Sequence, residues 1–174
     1  AVADGIRAES ATAVKELHRL GVEKVVLLTG DNEAIASATA TELSLDEVKA
    51  QLMPQEKLQA IQELKSRHAP VVMVGDGIND APALAAADVG IAMGRAGSDT
   101  ALETADVVLM SDNIAKVPYA IALGKRTLRI IKQNIALALL TKLVFLVLGV
   151  FGLTSLWLAI LADDGATLVV LLNG

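Results

Sequence analysis

Two loops rich in glycine and acidic residues contain the side chains best suited to chemistry. Thr29-Gly30-Asp31-Asn32 follows a run of Val and Leu, and the sequence GDGIND at 75–80 follows another. Glycine lets the backbone approach a ligand closely, and Mg²⁺ prefers carboxylate and water oxygens. Hydroxyl and amide donors, a lysine and Mg²⁺ are the groups that stabilise charge during phosphoryl transfer. The two loops therefore predict phosphoryl chemistry.

The elements that would hold these loops are predicted to alternate between strand and helix. Short apolar runs predict strands at 25–28, 47–52, 71–74, 89–93 and 107–110. Amphipathic or capped stretches predict helices at 8–20, 32–41, 55–67 and 81–87, with another between the last two strands. This alternation indicates an α/β fold with a partial, doubly wound parallel sheet. Both loops then lie at carboxyl ends of strands, where such sheets bind ligands.

The C-terminal third has a different composition. The stretch 114–133 is predicted to be helical and becomes increasingly basic, and 134–152 and 156–173 are almost wholly apolar. Each apolar stretch is about the 20 residues that a membrane helix needs. The basic cluster predicts that this end is cytoplasmic, with a turn near Gly149–Ser155 and the C-terminus back on the same side. The predicted parts are 1–118, a basic linker helix at 119–133, and two transmembrane helices at 134–174.

The overall composition excludes some classes of protein. A net charge of −5 argues against a nucleic-acid partner, which requires a basic face. The absence of cysteine excludes disulfides and thiolate metal sites within the chain. Because the sequence starts at Ala1 in what reads as the middle of a domain, we expect a fragment of a longer protein.

The order of several short motifs resembles the phosphorylation domain of P-type ATPases, which is of the haloacid-dehalogenase type. The matching segments are Asp4-Gly5-Ile6-Arg7 (D-x-x-R), Thr29-Gly30-Asp31 (T-G-D), Pro54-Gln55-Glu56-Lys57 (P-x-x-K), GDGIND at 75–80 with Ala81-Pro82-Ala83-Leu84, and the stretch from Met93-Gly94 to Ala105-Asp106. Taken singly, most of these residues would be ordinary turn or cap residues. Their joint order over essentially the whole chain carries the resemblance.

The resemblance implies roles for the first loop and for the P-x-x-K segment. Thr29 would hold the transferred phosphoryl group by its hydroxyl, next to Gly30. Asp31 would orient the loop or contact nucleotide. Lys57 would neutralise the charge of the phosphoryl group.

The resemblance also implies a magnesium site in the second loop. Asp76 would bind Mg²⁺, and Asn79 and Asp80 would position the phosphoryl group and the metal. The family's phosphorylated aspartate lies in a D-K-T-G motif that does not occur in the sequence. ATP would be bound mainly by a nucleotide domain outside the chain, so this chain alone is expected to be inactive. Its implied partners are the rest of the pump and the lipid bilayer.

Two charges lie deep in the apolar stretches. Lys142 and Asp163 are predicted to face each other on antiparallel helices, because a lone charge in the membrane costs about 2.5–3.5 kcal/mol. Pumps of the zinc, cadmium and lead branch resemble this chain in having such a lysine and an Asp-x-Gly, here Asp163-Asp164-Gly165. The resemblance implies that Asp163 binds the transported ion and that Lys142 is its counter-charge. Asp164 departs from the usual small hydroxyl residue and is a possible further ligand.

The resulting prediction is an ATP-driven efflux pump for soft divalent metals in the plasma or inner membrane, with its soluble part in the cytoplasm. Three alternatives stay open at this point. They are a copper- or other cation-transporting P-type ATPase, a soluble phosphatase of the haloacid-dehalogenase type, and a truncated membrane protein with a regulatory role. The apolar stretches argue against the soluble phosphatase. The last helix lacks the Met and Ser that the resemblance to the copper branch would require, and the lysine with Asp-x-Gly argues against a potassium or calcium pump.

Overall fold

The computed structural model describes residues 8–68, 70–76, 79–94, 103–111 and 113–174. The chain divides into two compact units, Ala1–Tyr119 and Ala120–Gly174. The predicted D-x-x-R segment lies outside the described residues. So do Gly77 and Ile78 of the second loop and most of the predicted helix before the last strand.

The strands of the first unit pair in parallel. Strand β1 (Val26–Leu28) pairs with β2 (Glu47–Lys49), and β3 (Val72–Gly75), β4 (Val89–Met93) and β5 (Val107–Leu109) pair in that order. Every described pairing is parallel, which confirms the predicted α/β class. The five strands of the described residues form two sheets, of two and three strands.

In the described part of the chain, α1 (Ala8–Arg19) precedes the first strand, and α2 (Glu33–Leu43), α3 (Pro54–His68) and α4 (Ala81–Ala86) each connect two successive strands. Helix α1 ends at Arg19, and Gly21, the predicted helix stop, follows two residues later with φ of 85°. Asn32 caps α2, since its side chain accepts a hydrogen bond from the Ile35 N–H at 3.0 Å. Pro54 begins α3, where its missing N–H costs no helical hydrogen bond.

The buried core of the first unit is aliphatic. It contains Ile61 of α3, Met73 of β3, the α4 residues Ala83 and Leu84, and Ala92 of β4. Strand β3 therefore packs with α3 and α4, the helices that come before and after it in the chain. The second loop starts from one of the best-packed strands of the unit.

An aspartate stands directly before each of three strands and closes its amino end. Asp46 Oδ2 accepts the Val25 N–H at 2.7 Å, Asp88 Oδ2 accepts the Val71 N–H at 2.8 Å, and Asp106 Oδ2 accepts the Gly90 N–H at 2.8 Å. Each bond joins the start of one strand to the start of its parallel neighbour. These carboxylates satisfy backbone donors that would otherwise need water.

Two long helices dominate the C-terminal part, α5 (Lys116–Val150) and α6 (Leu156–Asn173). Helix α5 is continuous, so the predicted linker helix and first span are one element. Its only proline, Pro118, lies in the first turn, where proline is tolerated. The predicted turn is present. Gly152 has φ of 67°, and the Leu153 N–H donates to the Leu148 carbonyl at 2.8 Å.

The two helices face each other along one stripe each. The half-buried residues of this stripe recur every three or four positions: Asn134, Ala138, Thr141, Phe145 and Leu148 on α5, and Ala159, Ala162, Ala166 and Val170 on α6. Most other large apolar side chains of the two helices are exposed. Both helices are long and apolar enough to cross a membrane. By helical rise, α6 spans about 27 Å, close to the thickness of a bilayer core.

Candidate functional site

The candidate phosphate site is built at the carboxyl ends of β1 and β3. Thr29 directly follows β1, and Asp76 directly follows β3. The amino end of α3, which contains Lys57, follows β2 closely in the chain. Parallel pairing places these strand ends at the same edge of each sheet, which is where an open α/β sheet binds ligands.

The first loop is held by its own side chains. The Thr29 hydroxyl donates to Asp31 Oδ2 at 2.8 Å and accepts the Asp31 N–H at 3.1 Å. The Thr29 N–H donates to the Lys49 carbonyl at 3.0 Å, which ties the loop to β2. Gly30 follows Thr29 and packs close to the Leu52 carbonyl. Thr29 is half-buried and its hydroxyl is oriented by Asp31, as a phosphate-binding hydroxyl requires.

Lys57 and Asp80 form a close ion pair across 23 residues of sequence. Lys57 Nζ lies 2.7 Å from Asp80 Oδ1, and the two side chains are only 17% and 14% exposed. Asp80 occupies the N-cap position of α4, yet its carboxylate makes no capping bond. The carboxylate is instead turned to Lys57. The structure thus joins the P-x-x-K segment to the end of the second loop.

The second loop offers hard oxygen donors. Asp76 and Asn79 are exposed, and Asp80 is half-buried. A side chain at Gly75 would come within 2.8 Å of Asp80 Oδ2, so glycine is required for the carboxylate to lie against β3. Among the described residues, no group of three or more His, Cys, Asp or Glu could hold a metal. Two carboxylates on one loop nevertheless fit Mg²⁺, which is commonly held by one or two carboxylates and several waters.

The carboxyl groups with clearly lowered pKa values lie away from these loops. The Val71 N–H, followed by Lys65, holds the pKa of the Asp88 carboxyl below its ordinary value. The Lys24 side chain likewise lowers the pKa of Glu47. These carboxylates remain ionised at neutral pH and support strand ends and a surface ion pair.

The predicted membrane charges lie at the same level of the helix pair. Lys142 Nζ is 3.9 Å from Asp163 Oδ1, with the side chains 66% and 57% exposed. Asp164 is exposed at the next position. Asp163 stands beside the facing stripe residue Ala162, so the charges lie at the edge of the helix contact.

Two groups of polar residues were not singled out from the sequence as functional. The first comprises the strand-closing aspartates Asp46, Asp88 and Asp106. The repeated Ala-Asp-Val at 87–89 and 105–107 is the signal that would have found two of them. The second is the amide pair of Asn134 and Asn173, which joins α5 to α6. Because Asn134 and Asn173 are 39 residues apart in the sequence, no local pattern links them.

Comparison with known proteins gives close relatives over the whole chain. A probable cadmium-transporting ATPase of Listeria monocytogenes is 56% identical over 174 residues, covering all of this chain and 24% of that protein. A zinc/cadmium/lead-transporting P-type ATPase of Escherichia coli K12 is 53% identical, covering 99% of this chain and 23% of that protein. The chain therefore spans about a quarter of the length of these relatives.

The solved structures and the family models agree with this similarity. A crystal structure of a zinc-transporting PIB-type ATPase in its E2.Pi state matches with a TM-score of 0.89 and 52% identity. That match covers 98% of this chain and 28% of the solved one. The model of the haloacid dehalogenase-like hydrolases matches residues 1–88. On the parallel strands, the strand-end loops and this match, the chain belongs to the haloacid dehalogenase-like hydrolase family.

Proposed function

We propose that this chain is part of an ATP-driven pump that exports soft divalent metal ions, with zinc, cadmium and lead as the substrate class. The observation that carries the proposal is the Lys142–Asp163 pair, 3.9 Å apart on two apolar helices of a chain whose other unit has loops suited to phosphate. Relatives named as cadmium- and zinc-transporting ATPases support the same function. A soluble phosphatase would have no use for either helix.

The first unit would supply groups that hold and stabilise the transferred phosphoryl group. Thr29 presents its hydroxyl at the end of β1, and Asp31 orients that hydroxyl at 2.8 Å. Asp80 holds Lys57 Nζ at 2.7 Å, beside the carboxyl end of β3. A fixed ammonium and a fixed hydroxyl need no reorganisation when negative charge develops, which makes them effective in stabilising a transition state. The phosphorylated aspartate and most of the ATP site would come from elsewhere in the pump.

Mg²⁺ fits the donor set of the second loop. Asp76 and Asp80 would hold the ion, and Asn79 would position the phosphoryl group beside them. When bound, Mg²⁺ would neutralise charge on the phosphoryl oxygens. Gly75 leaves the room that the Asp80 carboxylate needs.

The helices would span the membrane with the basic part of α5 in the cytoplasm. The basic residues before the apolar stretch are Lys116, Lys125, Arg126, Arg129 and Lys132, and no acidic residue occurs between positions 113 and 162. Positive charge flanking a span favours the cytoplasmic side. The exposed Leu, Ile and Val side chains would meet lipid or the other helices of the pump.

The membrane pair would bind and release the cargo. Asp163 provides a carboxylate within an apolar helix, where an unpaired charge costs about 2.5–3.5 kcal/mol. A divalent ion or the Lys142 ammonium can offset that cost. Lys142 would therefore pair with Asp163 when the site is empty and compete with the bound metal during release.

The test is metal-stimulated ATP hydrolysis by the intact pump in liposomes, measured across a panel of divalent ions. We expect stimulation by zinc, cadmium and lead, and a loss of at least about tenfold on Asp163→Ala, since a membrane ligand would be removed. Asp164→Ala, one position away, is expected to have a smaller effect. Normal zinc-stimulated turnover in Asp163→Ala, or a loss confined to Asp164→Ala, would overturn the assignment of Asp163.

A further inference from the structure

We propose that the amide pair of Asn134 and Asn173 sets the register between α5 and α6 and thereby holds Lys142 and Asp163 at one level. This proposal rests on the proposed function, because it treats the Lys142–Asp163 pair as the cargo site. It assigns both asparagines as positioning residues outside that site.

Asn134 makes two bonds to the facing helix. Asn173 Nδ2 donates to Asn134 Oδ1 at 2.8 Å, and Asn134 Nδ2 donates to the Val170 carbonyl at 3.4 Å. Both polar atoms of the Asn134 amide are thus directed to α6. Asn134 is also the first residue of the half-buried stripe of α5, whereas Asn173 is the last residue of α6.

The amide pair and the ion pair are two contacts between the same two antiparallel helices. Lys142 follows Asn134 by eight residues, which is about 12 Å along the helix. Asp163 precedes Val170 by seven residues and Asn173 by ten, which is about 10–15 Å. The two distances agree, so the register that brings the amides together also brings the charges together.

The residues between the amide pair and the ion pair specify the register of the two helices only weakly. The half-buried residues there are Ala166 on α6 and Ala138 and Thr141 on α5. Small side chains present little relief, so helices that meet through them can shift along each other at low cost. A shift by one residue moves a side chain by about 1.5 Å and turns it by about 100°. That change would separate charges that are already 3.9 Å apart.

A polar pair within an apolar helix contact is an effective register device. In a coiled coil, a single buried asparagine fixes register because any other alignment leaves its amide unpaired. In a membrane, hydrogen bonds between helices have modest strength but a costly alternative, an amide facing hydrocarbon. Asn134 is half-buried in the helix contact, and Asn173 pairs with it from the last residue of α6, so the amide pair fixes one end of the contact. Their separation from the Asp163 level, about 12 Å, places the Asn134 amide out of reach of an ion bound there.

The experiment is a zinc titration of ATP hydrolysis by the intact pump in liposomes. The variants are Asn134→Ala, Asn173→Ala and the double variant. We expect each single change to raise the zinc concentration for half-maximal activity by about three- to tenfold, in line with the strength of such bonds. The double variant is expected to show no more than the larger single effect, because both changes break the same contact.

Controls separate positioning from simple folding. A purely structural role would lower the maximal rate per amount of pump and leave the half-maximal zinc concentration in place. Thr141→Val is the matched control. Thr141 lies on the same half-buried stripe, but its hydroxyl bonds to the Leu137 carbonyl of its own helix at 2.9 Å. Thr141→Val is expected to have the same half-maximal zinc concentration as the wild type. Asn173→Gln, which keeps an amide, is expected to retain much of the zinc response.

Several outcomes would overturn the proposal. An effect of Asn134→Ala with a silent Asn173→Ala would reject the amide pair as the register contact and leave that role to the bond between Asn134 and the Val170 carbonyl. If both asparagine variants had a normal zinc response while Asp163→Ala was inactive, the register role would be rejected and the proposed function would stand. A normal zinc response in Asp163→Ala would instead reject the proposed function, whatever the asparagine variants do.

Discussion

In the first unit, the aspartates at the amino ends of the strands have a different role from those at the carboxyl ends. At the amino ends, Asp46, Asp88 and Asp106 each accept a backbone N–H at 2.7–2.8 Å from the neighbouring strand. At the carboxyl ends, Asp31 bonds to a hydroxyl and Asp80 to an ammonium. The carboxylates at the amino ends support the backbone, whereas those at the carboxyl ends organise side chains that can reach a ligand.

This difference teaches how a structural acid is told from a functional one. An aspartate that accepts a main-chain donor at the start of a strand completes the hydrogen bonding of the fold. An aspartate that makes no bond to a nearby helix N-terminus and holds a lysine is available for chemistry instead. Asp80 does this, since it makes no side-chain capping bond at α4. The two kinds of residue should therefore respond to the same Asp→Asn change in different measurements.

The largest effect is expected for Asp80→Asn in the intact pump. Asparagine keeps the size of the side chain but removes the charge that holds Lys57 and would hold Mg²⁺. Loss of one such transition-state group typically costs about 100- to 1,000-fold in rate. We expect a decrease of that order in phosphoenzyme formation and in ATP turnover, measured with labelled ATP.

Asp88→Asn is the matched control for this change. Asp88 is also an aspartate beside a strand and a lysine, with Lys65 Nζ at 3.1 Å. Because it lies at the amino end, its variant is expected to turn over ATP within about twofold of the wild type, as surface changes away from a site usually do. Equal losses in the two variants would remove the distinction between the strand ends.

An intermediate effect is expected for Thr29→Val. Valine keeps the shape of threonine but removes the hydroxyl that Asp31 orients at 2.8 Å. A phosphoryl-binding hydroxyl should be worth about 10- to 100-fold in turnover, less than a charged group. Thr29→Ser, which retains the hydroxyl, is expected to recover most of the activity. If Thr29→Val turned over normally, the hydroxyl would serve only the turn of the loop, as an ordinary turn threonine does.

The elements and the loops were predictable because their signals are local. Alternating strands and helices, Gly21 after α1, Asn32 before α2 and the apolar stretches all appear as short patterns. The continuity of helix α5 was harder to predict. The composition changes from basic to apolar near Asn134, but a helix is interrupted by residues such as proline and not by a change in hydropathy. Within Lys116–Val150 the only proline is in the first turn.

The pairings were harder to predict because their partners are distant in sequence. Lys57 and Asp80 are 23 residues apart, and Asn134 and Asn173 are 39 apart. No periodicity joins such residues, and only the packing of the elements brings them together. Lys142 and Asp163 are the exception, since a charge in an apolar stretch is rare enough for its partner to be sought at the same depth.

The smallest effect is expected in the pH dependence of stability at the amino ends. The Val71 N–H and then Lys65 lower the pKa of Asp88 in the folded chain. A carboxyl with a lowered folded pKa stabilises the fold above its unfolded pKa, about 3.9, and loses that contribution as the pH falls through the folded value. The Asp88→Asn variant should therefore unfold at a lower temperature than the wild type at pH 7, by on the order of a few degrees at most. The gap should close as the pH falls below about 4.

Thermal unfolding of the whole chain in detergent, followed by circular dichroism at about pH 7, 5, 4 and 3, measures that gap across the range where an aspartate titrates. Because Glu47 also has a lowered pKa, through Lys24, both proteins should lose stability in acid and only their difference reports Asp88. A gap that stays constant over this whole range would show that Asp88 acts through its shape and not through its charge. In that case the negative charge of Asp88 would add nothing to the stability of the fold. The amide oxygen of the introduced asparagine would then accept the Val71 N–H as well at neutral pH as it does in acid.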